Sequence, residues 1–193
     1  HTPLPIMHSE FAKAGYMTIG ISSNHIVTVK QGINLGCDVY DISASKEWMK
    51  GSGLDLHRVI DKYLKRYSDR PLCFYIHAMD PHDPYLPIAP YDKIFDPPKE
   101  QSVRKRIRQN DAGYLNRESF RNSLLPLTDT EVNYLRSYYR GEIRQMDSLF
   151  LVFMEMLKNH NLLDDAILCV TADHGEEFGE QGFYQHGINL HEP

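Results

Sequence analysis

The sequence has little of what marks a membrane protein, a secreted disulfide scaffold or a nucleic-acid clamp. No apolar run approaches the roughly 20 residues of a membrane span, and no secretory leader pattern opens the chain. Cysteine is scarce. Cys37, Cys73 and Cys169 are odd in number and far apart, which argues against a disulfide framework and a Cys-x-x-Cys metal knuckle. Cys73 and Cys169 fall in apolar, strand-like runs, so buried free thiols and a reducing compartment such as the cytoplasm are expected. Acidic residues outnumber basic ones, 26 to 21, and the net charge of −5 argues against a partner made of nucleic-acid phosphates. Also missing are Gly-x-Ser-x-Gly, a Walker loop, Gly-x-Gly-x-x-Gly and His-Glu-x-x-His, which removes the commonest hydrolase, nucleotide and zinc-protease readings. There is no internal repeat.

What is present is an ordinary globular composition, 41% hydrophobic and 24% charged, in a chain long enough for one core or two small ones. Leu4, Met7 and Phe11 predict a helix over 4–14 that Gly15 ends, followed by a β-branched strand over 16–22. Helix, glycine, strand and polar loop make half of a βαβ unit, so the expected class is α/β with a parallel sheet. A short edge strand is expected near 37–41. A helix over 54–67 carries Leu56, Val59, Ile60, Tyr63 and Leu64 on one face, and 72–76 reads as a buried strand. Residues 87–129 lack periodicity and are read as an insertion or lid within one domain spanning 1–193. Their basic run, 104–108, is either a solvated face or a contact for a substrate anion. Thr128 or Asp129 then caps a long helix with apolar positions at Val132, Leu135, Tyr139, Ile143, Met146, Phe150, Phe153 and Leu157. Asp147 on it reads as a surface or supporting acid. A last buried strand is expected over 166–171.

Two predicted strand ends carry acids and imidazoles together. One is His77-Ala-Met-Asp80-Pro-His82-Asp-Pro-Tyr85, stiffened by proline; the other is Asp173-His174 with His186 on a glycine-rich loop. Alone, each is equally readable as a surface turn, since Asp after a strand commonly closes an Asx turn. Together, on one edge of a parallel sheet, they have the makings of a hydrolytic centre. A divalent ion there would polarise an anionic ester, and imidazoles would bind its oxygens or protonate the leaving group.

These stretches resemble the sulfatase branch of the alkaline phosphatase superfamily. The resemblance rests on Ala14-Gly15-Tyr16 through Asn24, Gly36-Cys-Asp38-Val-Tyr40-Asp, His77 through Tyr85, Tyr139-Arg-Gly-Glu-Ile143 through Asp147, and Thr171-Ala-Asp173-His174-Gly175-Glu176. It implies a three-layer α/β/α sandwich around a mostly parallel sheet. It also implies one divalent cation, calcium before magnesium or manganese, with Asp173 and His174 as the late pair of metal ligands. His82 would contact the sulfate or assist the leaving group, His186 would act similarly from the last loop, and His77 would support them. Asp80 is expected beside the small anionic ester substrate. The family's Cys/Ser-x-Pro-x-Arg nucleophile, source of formylglycine, and its early paired aspartates have no counterpart here. The expectation is therefore a middle segment, inactive alone, of a sulfate ester hydrolase. A phosphodiester or phosphonate ester hydrolase, a phospho-group transferase, and a non-catalytic anion- or metal-binding domain stay open beside it. Geometrically, Asp173, His174 and His82 are expected to converge, and Phe183 and Tyr184 to pack beside their loop.

Overall fold

The computed structural model describes residues 6–45, 53–95, 127–180 and 184–186. The chain divides into two compact units, His1–Asp80 with Met146–Ala166, and Pro81–Gln145 with Ile167–Pro193.

The first unit holds α1 (Met7–Lys13), β1 (Met17–Ser22), a 3-10 turn (Val29–Gln31), β2 (Val39–Asp41), α2 (Gly53–Tyr67) and β3 (Leu72–His77). The strands form one parallel sheet in the order β2-β1-β3, with Ile19 opposite Val39 on one side and Phe74 on the other. The central strand of a parallel sheet is covered on both faces, which is why β1 reads as an almost unbroken β-forming run. Its buried Thr18 must then find polar partners. The Thr18 N–H donates to Asp38 Oδ2 and the Asp38 N–H donates to Thr18 Oγ1, each at 2.9 Å. That reciprocal pair leads the chain into β2. Leu56, Val59, Ile60, Tyr63 and Leu64 of α2 pack with Ile19, Ile21 and Leu157 as the core.

The α1 stripe needs correction, because Met7 and Phe11 are 53% and 38% exposed and the buried residue is His8, edge-on to Tyr75. Phe11 is drawn instead into the helix end. Gly15 sits at φ 88, the Tyr16 N–H donates to Phe11 O at 3.0 Å, and the Phe11 and Tyr16 rings meet at 5.1 Å. This is the apolar contact that accompanies a left-handed helix cap.

A larger correction concerns 166–171, which is not a strand. Among the described residues it pairs with no ladder, Ile167 is 98% and Val170 75% exposed, and Cys169 is exposed and not buried. A β-forming run states what fits a pleated surface, and the backbone still needs a neighbouring edge to bond to. Asp173 and His174 therefore do not follow a strand end.

The long helix is α3 (Asp129–Asn159), whose residues through Gln145 belong to the second unit and the rest to the first. Thr128 caps it in a capping box: Glu131 Oε2 accepts from the Thr128 N–H at 2.8 Å and hydroxyl at 2.9 Å. It ends with Asn161 at φ 56, where the Leu162 N–H donates to Leu157 O at 2.9 Å. Its buried face keeps part of the expected stripe, Leu135 and Leu157 being buried and Val132, Tyr139 and Phe153 packed against the core clusters, and adds polar and tyrosine positions to it. Glu131, Tyr134, Leu135, Tyr138, Glu142 and Gln145 are buried, whereas Ile143 and Phe150 are exposed. The basic run and most of the expected lid, 96–126, lie outside the described residues, as do Phe183 and the Tyr184 side chain.

Candidate functional site

The second unit explains why a helix would bury carboxylates. Residues 81–88 include Pro81, Pro84 and Pro87, which bar regular structure and leave the remaining N–H groups without ladder partners. The α3 face supplies those partners. Glu142, 1% exposed, accepts from the His82 N–H at 3.2 Å and the Leu86 N–H at 2.5 Å, and Gln145 Oε1 accepts from the Ile88 N–H at 2.9 Å. One position earlier the helix carries Gly141, where any Cβ would lie 2.7 Å from Tyr91 O. Only glycine lets the loop come so near. Tyr85 completes the seat, packed on Tyr139 and Phe178 in a cluster with Tyr134, Leu135 and Tyr138.

On this support His82 is held by its backbone and by its ring. Its Nδ1 hydrogen-bonds the Asp83 carbonyl, and a carbonyl only accepts, so Nδ1 carries the proton and the neutral ring has its lone pair on Nε2. The ring lies edge-on to His186, centroids 5.1 Å apart, and His186 lies 4.1 Å from the ring of His174.

A short hairpin brings His186 there. β4 (Glu177–Phe178) pairs antiparallel with β5 (Tyr184–Gln185), Glu177 opposite Gln185. Continuing that register sets Glu176 opposite His186, and their side chains meet at 2.8 Å, Oε1 to Nδ1. Arg136 reaches into the same hairpin and pairs with Glu180. The Glu176 side chain is only 4% exposed. Burial, with Glu176 close by, holds the Tyr85 phenol far above its ordinary range, so it stays protonated.

Asp173 lies differently. Its side chain is 83% exposed, Oδ1 accepts from the His174 N–H at 3.1 Å, and Oδ2 stands 3.6 Å from His174 Nε2. His174 Nδ1 hydrogen-bonds the Gly175 carbonyl at 2.9 Å, which again puts the neutral ring's lone pair on Nε2. Among the described residues, the one His/Cys/Asp/Glu set with metal-ligand spacing is His174, Glu176 and His186, whose ligand atoms all lie within 4.8 Å of one another.

The remaining expected residues, His77 and Asp80, belong to the first unit. His77 ends β3 in the first unit, its Nδ1 3.2 Å from Ser22 Oγ, and half-buried Asp80 closes that unit's segment. Sequence reading missed Glu142 and the pairing of Glu176 with His186. A carboxylate on a helix gives no apolar signal, but the Glu176–Phe178 and Tyr184–His186 segments around a glycine-bounded turn were a hairpin in plain view.

Comparison with known proteins places these features in context. A family model described as Sulfatase matches residues 5–192. A multifunctional alkaline phosphatase superfamily protein of Trinickia caryophylli is 23% identical over 133 residues, 61% of this chain and 26% of that protein. A choline-sulfatase of Rhizobium meliloti (strain 1021) is 23% identical over 129 residues, 61% of this chain and 24% of that protein. The chain thus spans about a quarter of the length of these curated relatives.

Proposed function

Since the chain belongs to the sulfatase family, we propose that the protein containing it is a metal-dependent hydrolase of sulfate esters on small anionic substrates. The family's fold is α/β and alkaline phosphatase-like, and the parallel β2-β1-β3 sheet with its helices agrees with it. One observation carries the reading. The second unit of a family member gathers His82, His186 and His174 ring against ring, with His82 anchored to a buried carboxylate.

The chemistry of this chain is proton handling and anion reception. Protonated, His82 keeps its Nδ1–H on the Asp83 carbonyl and presents Nε2–H. It gives that proton to the ester's leaving oxygen as a nucleophile from outside this chain bonds to sulfur and the bond from sulfur to that oxygen breaks, which neutralises the charge developing there. Fixing the His82 N–H on Glu142 spares the ring the search for its working position.

The divalent cation belongs to this reading and would supply charge neutralisation at the ester. The pair the resemblance implies, Asp173 and His174, offers one carboxylate and one imidazole, whereas calcium takes about six to eight oxygens. These two residues do not fit calcium by themselves. A second reading, hydrolysis of phosphodiesters or phosphonate esters, comes from the resemblance to the alkaline phosphatase superfamily, to which the first relative's name also assigns that relative.

The test is turnover of an aryl sulfate and an aryl phosphodiester by the full-length protein with divalent cations supplied. Sulfate is expected to be the better substrate, and His82→Ala is expected to lower its kcat by about 10²–10⁴-fold. Preference for the phosphodiester selects the second reading. Hydrolysis of neither would leave a binding domain and remove both.

A further inference from the structure

We propose that Glu176 and Tyr85 are positioning residues for His186, joined to it as a phenol–carboxylate–imidazole chain that fixes which ring nitrogen meets the ester. Each link is matched in donor and acceptor. The Tyr85 phenol, kept protonated by burial, donates to the Glu176 carboxylate. A carboxylate oxygen accepts, so the His186 nitrogen 2.8 Å from Glu176 Oε1 is Nδ1–H, and Nε2 is the nitrogen that meets the ester. The chain is anchored from two sides of the second unit. Tyr85 belongs to the proline-rich loop that carries His82 and packs on Tyr139 of α3 and on Phe178. Glu176 stands at the foot of the hairpin, opposite His186 in the continued register, with its side chain buried. The contact of Tyr85 with Glu176 therefore ties the segment that carries His82 to the one that carries His186.

The orientation matters because His186 is the middle ring of three, lying against His82 on one side and His174 on the other. An imidazole without a fixed acceptor turns about its side-chain bonds and shifts its proton between nitrogens, so it meets a given oxygen correctly only part of the time. A buried carboxylate, itself held by a second donor, removes that freedom. The inference deepens the sulfate ester reading and rests on it for what His186 does. There the ring donates from Nε2 to an ester oxygen while Nδ1–H stays on Glu176, whose charge balances that of the ring. Glu176 and Tyr85 act through His186 and need not touch the ester.

Two measurements on the full-length protein test it, and the first needs no turnover. Nitrogen-15 NMR of histidine-labelled protein at about pH 9, where an ordinary imidazole is neutral, reads which ring nitrogen carries the proton. The His186 signals, identified by their loss in His186→Ala, should show a protonated Nδ1, and in Glu176→Ala that proton should pass to Nε2. An unprotonated Nδ1 in the unaltered protein, or a protonated one that persists in Glu176→Ala, would overturn the inference. The second measurement is turnover of an aryl sulfate with divalent cations supplied. Glu176→Ala should lower kcat about 10–100-fold with KM within about twofold, and Glu176→Gln, whose amide oxygen still accepts from Nδ1–H, should recover part of the loss. Tyr85→Phe keeps the packed ring and removes the phenol. It should lower kcat about threefold, and it replaces Glu176→Ala in the comparison if that variant does not fold. Placed on His186→Ala, either change should alter kcat by less than about twofold, because its route to the ester is gone. Equal losses with and without His186 would make both residues structural only and overturn the inference. If no ester is hydrolysed, the sulfate ester reading falls, while the nitrogen-15 result still decides whether Glu176 sets the His186 ring.

Discussion

The two units are stabilised by different means. The first is a sheet and helix closed by aliphatic burial, with Ile19, Ile21 and Leu64 fully covered. In the second, a proline-rich loop is held by carboxylate and amide oxygens of a helix, with tyrosines packed around them. Aliphatic packing is strong but has no direction, so it fixes which faces meet and tolerates small rearrangements. Hydrogen bonds to a buried carboxylate have direction, and losing one partner leaves the others exposed to the full cost of burial. A loop that must present an imidazole at a set position needs the second kind of support. The difference between the units is thus a difference between making a platform and aiming a side chain from one.

The largest expected effects set the two modes against each other. Leu64→Ala, at a fully buried core position, should cost about 3 kcal/mol of stability and leave kcat/KM of the folded fraction unchanged. Glu142→Ala strands the His82 and Leu86 N–H groups and should cost about 2 kcal/mol in chemical denaturation. Unlike Leu64→Ala, it should also lower kcat on the ester, since the ring it positions loses its anchor. Glu142→Ala with unaltered kcat would erase the distinction drawn between platform and aim.

The same division explains what was legible in the sequence. Periodicity found β1, β3 and the buried face of α2 because aliphatic spacing is itself the force that builds them. Gly15 and the Thr128 cap were readable because their roles are local. Periodicity misled where the partner was not apolar. On α3 the expected Leu135 is buried, but Glu131, Glu142 and Gln145 meet backbone donors and lie inside as well, while Ile143 lies outside. It also misled at 166–171, where a strand needs an edge that composition cannot supply. In the site, single residues were legible as chemistry, but the contacts were not. His82 and His186 stood out as imidazoles near acids, whereas the pairing of Glu176 with His186 depends on hairpin register.

A smaller effect probes polar support inside the first unit. Asp41 Oδ2 accepts from the Tyr63 hydroxyl at 2.6 Å and from Lys62 Nζ at 3.0 Å. Burial alone would raise its carboxyl, but the bonds from Ser43, Tyr63 and Lys62 outweigh it and hold the group well below the ordinary carboxylate range. A depressed folded value means the contribution is complete above the unfolded value, about 3.9, and is lost as pH falls toward the folded one. Melting temperature followed from pH 7 to pH 2 should therefore drop in the acid limb, and Asp41→Asn should flatten that drop. An acid limb of the same steepness in Asp41→Asn would assign the acid sensitivity to other carboxylates.

The smallest effect asks whether α3, which serves both units, is one cooperative element. Thr128→Ala removes the hydroxyl that donates to Glu131 Oε2 at 2.9 Å but keeps the Thr128 N–H that donates to the same oxygen at 2.8 Å. Losing half of a capping box should cost about 1 kcal/mol, with Thr128→Ser restoring it because serine carries the same donor. A cap acts on the first turn, where N–H groups have no carbonyl four residues back. Amide hydrogen exchange should then quicken through residues 129–134 and stay unaltered near Leu157, whose carbonyl is secured by the Leu162 N–H at the far end. Faster exchange along the whole helix to Leu157 would mean that the two modes of support are coupled through α3. The aim of His82 would then depend on the platform after all, and Leu64→Ala should begin to affect turnover.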